Sequence, residues 1–189
     1  KLKKTILFVS HDIDEAVKMG DRVAIFREGR LEQFAAPDEL LAFPVNDFIA
    51  DFVGGDRTLK RLRLASIEQA MQRDVQTVAP GDTLEHAREI LGSSNQKVVP
   101  VVDREGHPRG YIDRQLAETA SGNAGDAARP LSFTVRARDD LRTAVSEMFT
   151  HDVTWVAVLD DRGHLIGYVS QHDITDLLGT RRGGGERAA

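Results

Sequence analysis

The sequence contains no cysteine. That excludes a disulfide framework, a thiol nucleophile and any zinc or iron–sulfur site built on thiolates. It contains no run of 18 apolar residues, which leaves no candidate membrane-spanning helix. No secretory signal is visible. The basic start Lys1–Lys4 leads into a short apolar run, Thr5–Ser10, and then at once into His11-Asp12-Ile13-Asp14-Glu15. Positive charge does not dominate: 30 acidic residues outnumber 25 basic ones, for a net charge of -5. Such a chain is a poor non-specific binder of nucleic acid, and no nucleic-acid partner is expected. The glycine- and arginine-rich end, residues 180–189, reads as a disordered tail. A first residue of lysine, not methionine, suggests that the chain starts inside something longer.

What is present falls into two dissimilar parts. Thr5–Val9 reads as a strand buried on both faces, because four of its residues are apolar in a row. Ser10-His11-Asp12 opens a helix over Ile13–Met19, ended by Gly20. Arg22–Arg27 and Arg30–Phe34 read as strands joined by the turn Glu28-Gly29. Helices follow from Pro37 to Leu41 and from Pro44 to Val53. So little apolar material makes a poor core by itself. Residues 1–55 therefore look like the end of an α/β domain whose earlier strands are absent. Residues 56–66, with Arg57, Lys60, Arg61 and Arg63, read as a linker or the start of a connecting helix. Asp12, Asp14 and Glu15 read as first-turn helix acids, not as a metal cluster.

The second part is an internal repeat. A shift of 57 residues aligns residues 77–113 with 134–170 without a gap and gives 12 identities in 37 columns. Random matching would give about two. Asp82-x-Leu84-x-x-Ala87 falls on Asp139-x-Leu141-x-x-Ala144. Val99, Val101 and Asp103 fall on Val156, Val158 and Asp160, and Gly106-His107 falls on Gly163-His164. Gly110-Tyr111 falls on Gly167-Tyr168. Each copy reads as a short strand, a helix capped by Asp82 or Asp139, a strand pair and a closing helix. The strand pairs are Val98–Val102 with Gly110–Ile112 and Trp155–Leu159 with Gly167–Val169. The copies span 67–120 and 131–179, with a polar loop over 121–130 between them. His107 and His164 read as exposed turn residues, and no metal site is expected. No nucleophile–base–orienter set emerges, so an independent enzyme is not expected.

The repeat resembles a tandem pair of CBS domains, a mixed α/β module of small sheets with helices. The segment from Thr5 to Ala16 resembles the switch-histidine region of an ABC-transporter ATPase. Gly20–Arg30 is similar to the strand pair after that histidine, and Asp47–Gly54 to the end of the ATPase domain in importers of osmoprotectants. Together the pieces resemble the C-terminal portion of the ATPase subunit of a bacterial glycine betaine/carnitine/choline/proline ABC importer. The fold class implied is α/β, a tandem CBS pair preceded by the remnant of a P-loop ATPase domain.

The resemblance implies that His11 is the switch histidine that meets the γ-phosphate of ATP in the full-length parent. The chain contains no G-x-x-x-x-G-K-[ST] loop, signature motif or strand with a magnesium-binding Asp and catalytic Glu, so it is not itself a competent ATPase. In CBS pairs a Gly-h-h-Thr/Ser-x-x-Asp/Asn segment opens the last helix beside a bound adenine nucleotide. Gly167-Tyr168-Val169-Ser170-Gln171-His172-Asp173 keeps that pattern. It implies Asp173 as the ribose partner and Ser170 as a cap or phosphate-side donor, with Thr134, Val135, Val153, Thr154 and Trp155 completing the site. Read without the resemblance, Ser170 is a helix cap and Asp173 a solvated acid. In copy one, Asp113 and Leu116 stand in the two key places, which disfavours a nucleotide there. Trp155, Tyr111 and Tyr168 are candidates to stack on adenine, or core residues. The equivalence of the two tyrosines favours a shared structural role. The ligands implied are AMP, ATP or cyclic di-AMP at the module. The partners implied are a second copy and a transmembrane subunit, at the cytoplasmic face of the plasma membrane. Sensing of ionic strength, or a ligand-free dimerisation element, are the other readings.

Overall fold

The computed structural model describes residues 4–180, and the expected tail lies, beyond Thr180, outside them. The chain divides into two compact units.

The first unit comprises the described parts of Lys1–Ser66, Asp140–Arg142 and Thr175–Ala189. Helix α1 (Ile13–Met19) starts where the Asp12 carboxylate accepts the N–H groups of Asp14 and Glu15, at 2.8 and 3.3 Å. Strands β1 (Val23–Arg27) and β2 (Arg30–Ala35) form an antiparallel hairpin. Its turn places both Glu28 and Gly29 at positive φ, the geometry a two-residue hairpin needs. Helices α2 (Pro37–Ala42), α3 (Asp47–Val53) and α4 (Arg57–Leu64) follow. Helix α3 begins later than Pro44, because the Asn46 side chain accepts the Ile49 N–H and fixes the start there. Val17, Val23, Ile25, Leu40, Leu41, Ile49 and Val53 form the core. Within α4, Arg61 is buried: its Nε donates to Asp38 at 2.9 Å and its guanidinium also donates to the Leu178 carbonyl at 3.1 Å.

The strand expected over Thr5–Val9 does not form. Residues 4–10 belong to no helix or strand, and Ile6, Leu7 and Val9 are 84%, 91% and 81% exposed. A run apolar on both faces needs strand neighbours and cover on each side. Among the described residues, β1 and β2 pair only with each other.

The second unit, Ile67–Asp139 with Thr143–Ile174, holds most of the repeat. Copy one contributes α5 (Leu84–Ser93), β3 (Val98–Val102), β4 (Pro108–Asp113) and α6 (Arg114–Thr119), and α7 (Ala124–Ala127) follows it. Copy two contributes β5 (Thr134–Arg136), α8 (Leu141–Thr150), β6 (Trp155–Leu159), β7 (Leu165–Ser170) and α9 (Gln171–Thr180). The strand pairs share one register: Val101 faces Gly110 as Val158 faces Gly167, and each pair bulges at the next residue. Val78, Leu84, Ala87, Ile90, Val99 and Ile112 lie in the core of copy one. Val135, Ala144, Met148, Val156 and Val169 are buried in copy two.

Three local expectations change. Thr77-Val78 is not a strand but a single parallel bridge, Val78 to Val101, whereas β5 pairs with β6 over three residues. One step back, at Gln76, the Gln96 side chain takes the place of a ladder. Its Oε1 accepts the Gln76 N–H at 2.7 Å, and its Nε2 donates to the carbonyls of Gln76 and Val98 at 3.0 and 3.1 Å. Asp82 does not cap α5; Thr83 does, accepting the His86 N–H. Asp82 instead ties down the turn before α5, accepting the Ala79 N–H, and Asp139 accepts the Arg136 N–H, both at 2.8 Å. The inter-copy loop contains a helical turn, α7, whose Ala124 is fully buried.

Candidate functional site

The start of α9 is built by a reciprocal cap. The Ser170 N–H and hydroxyl both donate to Asp173 Oδ2, at 2.8 and 2.5 Å. The Asp173 N–H reaches back to Ser170 Oγ at 3.2 Å. This is the capping-box arrangement, with Asp in place of the longer acid. The Gln171 N–H donates to the Thr154 carbonyl at 2.9 Å, and Trp155 pairs with Ser170 across β6 and β7. Thr154, Trp155, Ser170 and Asp173 are thereby gathered at one end of the β5–β6–β7 sheet. Thr134 and Val135 lie further along it, opposite Ala157 and Val158. Val153 is half-buried and Thr154 exposed.

The cap uses one oxygen of Asp173. The other, Oδ1, accepts a 2.8 Å hydrogen bond from Gln72 Nε2. Gln72 is carried there by the segment that enters copy one, whose backbone exchanges two hydrogen bonds with Tyr168, at 2.8 and 3.1 Å. The approach is so close that a Cβ at position 167 would lie 2.4 Å from the Gln72 carbonyl oxygen. Only glycine fits that backbone contact. Burial, and then the nearby Asp173 charge, raise the Tyr168 phenol above its ordinary range.

Copy one repeats the geometry with different chemistry. Arg129, which the 57-residue shift places on Gln72, exchanges two backbone hydrogen bonds with Tyr111, both 3.0 Å. A Cβ at Gly110 would lie 2.6 Å from the Arg129 carbonyl oxygen. The Asp113 carboxylate caps α6 through the Leu116 N–H at 2.8 Å and accepts Arg129 Nη1 at 2.7 Å. Leu116 stands where Asp173 stands in copy two.

Trp155 is not free to stack on a base. It is 7% exposed and meets Tyr111 and Phe133 edge to face, with centroids 5.4 and 5.0 Å away. Tyr111 and Phe133 are themselves 5.6 Å apart, so the three rings form a packed cluster. His107 and His164 are half-buried, not exposed as expected. Ligand-type atoms of Asp103, Glu105 and His107 lie within 4.8 Å of one another. Asp103 is already saturated: it accepts the N–H groups of Glu105 and His107 and pairs with Arg109. The His107 N–H is the main cause of its lowered pKa, and Arg109 adds to it. That chemistry anchors a turn. Asp12 is likewise spent on its helix cap, and Glu15 accepts the Ser10 hydroxyl at 2.6 Å. His11 is exposed, in the first unit.

Gln72 and Phe133 are the site residues that sequence reasoning missed. The available signal was the repeat itself, since the shift sets Gln72 against Arg129 before the aligned columns begin.

A family model described as "CBS domain" matches residues 65–115 and 125–180. The osmoprotectant import ATP-binding protein OsmV of Salmonella typhimurium is 43% identical over 183 residues, covering 96% of this chain and 48% of that protein. The glycine betaine/carnitine/choline transport ATP-binding protein OpuCA of Bacillus subtilis is 34% identical over 181 residues, covering 94% and 48%. The chain thus spans about half the length of these curated relatives. Among solved structures, CBSX2 in complex with AMP superposes with a TM-score of 0.55 at 18% identity, covering 62% of this chain and 98% of that one. At that identity the likeness is one of fold. With two matched copies sharing one strand register, and with these relatives, the chain belongs to the CBS-domain family and is homologous to ATP-binding subunits of osmoprotectant ABC importers.

Proposed function

We propose that this chain is the regulatory CBS module of the ATP-binding subunit of a quaternary-amine importer, and that copy two senses an adenine nucleotide. The observation that carries this reading is Asp173: its cap fixes the carboxylate while using only Oδ2, and Oδ1 is held by a side chain, not by backbone. A carboxylate so oriented is suited to the hydroxyls of a ribose. Ser170 and Thr154 frame it at the sheet end, and Thr134, Val135 and Val153 supply polar and apolar groups nearby. Trp155 contributes as a wall of the packed ring cluster. Support also comes from the names of the relatives and from AMP in the CBSX2 structure.

In this reading residues 1–55 close the ATP-binding domain, 56–66 connect it to the module, and His11 is the switch histidine. That role needs the phosphate loop and metal-binding strand of a full-length subunit loaded with ATP. The subunit works as a dimer, peripherally on the cytoplasmic face of the membrane, with a transmembrane partner. Nucleotide binding to the module biases the ATPase dimer, a coupling between distinct sites.

The test is calorimetric titration of the chain with AMP, ATP and cyclic di-AMP. Saturable binding that Asp173→Ala abolishes supports the sensor. Absence of binding to all three points to ionic control or to a ligand-free dimerisation element. The latter reading is favoured in copy one by Leu116 and the Asp113–Arg129 ion pair. In a full-length subunit, deletion of residues 60–189 that left regulation unchanged would sink the proposal.

A further inference from the structure

We propose that Gln72 is a built-in latch on the copy-two site: its side-chain amide occupies the Asp173 oxygen that a ribose requires, so affinity is set by competition with the chain's own amide. This rests on the reading of copy two as an adenine-nucleotide site.

Asp173 Oδ2 receives two donors from Ser170 and cannot be released without undoing the start of α9. Oδ1 is therefore the oxygen left for a ligand, and Gln72 Nε2 already donates to it at 2.8 Å. The Gln72 backbone is pinned by its two hydrogen bonds to Tyr168 and by the close contact at Gly167. Only the side chain swings. It is exposed, so on release its amide finds water at once. A ribose diol offers O–H donors to the same oxygen, and the exchange conserves hydrogen bonds. Such an exchange is governed by small net differences, not by the full strength of either bond.

The two copies carry latches of unequal strength. In copy one, Arg129 holds Asp113 as an ion pair at 2.7 Å, and Leu116 removes the ribose acid. In copy two, a neutral amide holds the acid that copy one lacks. The charge-assisted pair with two ionised partners is the harder to displace. The chain is thus closed where it has no ribose acid and lightly latched where it has one, so it takes one nucleotide.

The experiment titrates AMP and ATP into the full chain by calorimetry, for wild type, Gln72→Ala, Gln72→Arg and Asp173→Ala, with thermal unfolding as the folding check. Loss of one net hydrogen bond predicts that Gln72→Ala binds about three- to tenfold tighter. Gln72→Arg, which imports the copy-one latch, binds weaker than wild type. Asp173→Ala does not bind, and wild-type stoichiometry is one per chain. Gln72→Ala binding equally or more weakly, while Asp173→Ala still abolishes binding, overturns the latch and leaves the nucleotide site standing. Tighter binding by Gln72→Arg overturns it too, because arginine would then be acting on the phosphate. No binding by wild type or Gln72→Ala overturns the nucleotide reading and the latch together.

Discussion

His107 and His164 meet ring to ring, with centroids 4.9 Å apart. They are the same position in the two copies, and each follows a glycine on a turn anchored by an aspartate, Asp103 or Asp160. The turns are also joined through backbone, the Leu165 N–H donating to the Gly106 carbonyl at 3.0 Å. A single copy would leave either ring against solvent. Duplication gives each histidine its partner, and makes the aspartate turns part of the contact between copies.

That contact should respond to acid through Asp160. The Asp160 carboxyl is held down to about 2, chiefly by the His164 N–H, with the His164 ring and the Arg162 N–H adding to it. A depressed carboxyl pKa contributes stability above its ordinary value of 3.8 and loses it as pH falls through the folded value. The urea midpoint should therefore drop as pH is lowered from 3.8 to about 2. Asp160→Asn should flatten that dependence. An unchanged slope in the variant would remove Asp160 from the account.

Glycines in this fold respond to substitution with opposite signs. Gly167→Ala drives a Cβ to 2.4 Å from the Gln72 carbonyl oxygen, and Gly110→Ala one to 2.6 Å from that of Arg129. Backbone cannot yield cheaply there, and each variant should lose about 1–3 kcal/mol. Gly92 lies in α5, and a Cβ at that position would have nothing within 4 Å. Gly92→Ala should gain about 0.5–1 kcal/mol from helix propensity. Denaturant melts of the three variants decide the matter by sign alone.

Gln96 is a buried polar side chain that spends three hydrogen bonds on backbone, two at Gln76 and one at Val98. Gln96→Val imports the residue of copy two and strands the Gln76 N–H and carbonyl. The expected cost is about 1–3 kcal/mol for each backbone group left unpaired. Equilibrium unfolding measures it, and a neutral result would mean that water replaces the side chain.

Ser170→Ala removes the hydroxyl that the Asp173 N–H uses and one of the two donors to Oδ2. Loss of a helix cap costs about 1 kcal/mol. Ser170→Thr keeps the hydroxyl and should recover most of it. Thermal melts of the pair separate the cap from a mere change of volume, since threonine is the larger residue.

Much of the module was legible because its signals are local. The spans Val98–Val102 and Trp155–Leu159 appear as strands with the expected bounds, and Ile13–Met19 as a helix. Each rests on apolar patterning and a capping or turn residue within a few positions. Misreadings came where an adjacent or a distant side chain took the role read for another residue. Asp82 reads as a cap until the adjacent Thr83 is seen to take the His86 N–H, and Thr77-Val78 reads as a strand until the Gln96 side chain takes the Gln76 backbone beside it.

By itself the sequence determined that this protein is a duplication, roughly where the strand pair and turn of each copy lie, and that copy two alone carries the Ser170–Asp173 pattern. Periodicity, capping chemistry and self-similarity are properties of neighbouring residues or of one fixed shift. The tertiary structure decided what those residues touch. It buried Trp155 between Tyr111 and Phe133, left Thr5–Val9 without a strand partner among the described residues, and brought Gln72 to Asp173 across 101 residues of chain. Such a pairing depends on how two folded copies close on each other. No propensity along the chain encodes it, and it is there that the competition for the Asp173 carboxylate arises.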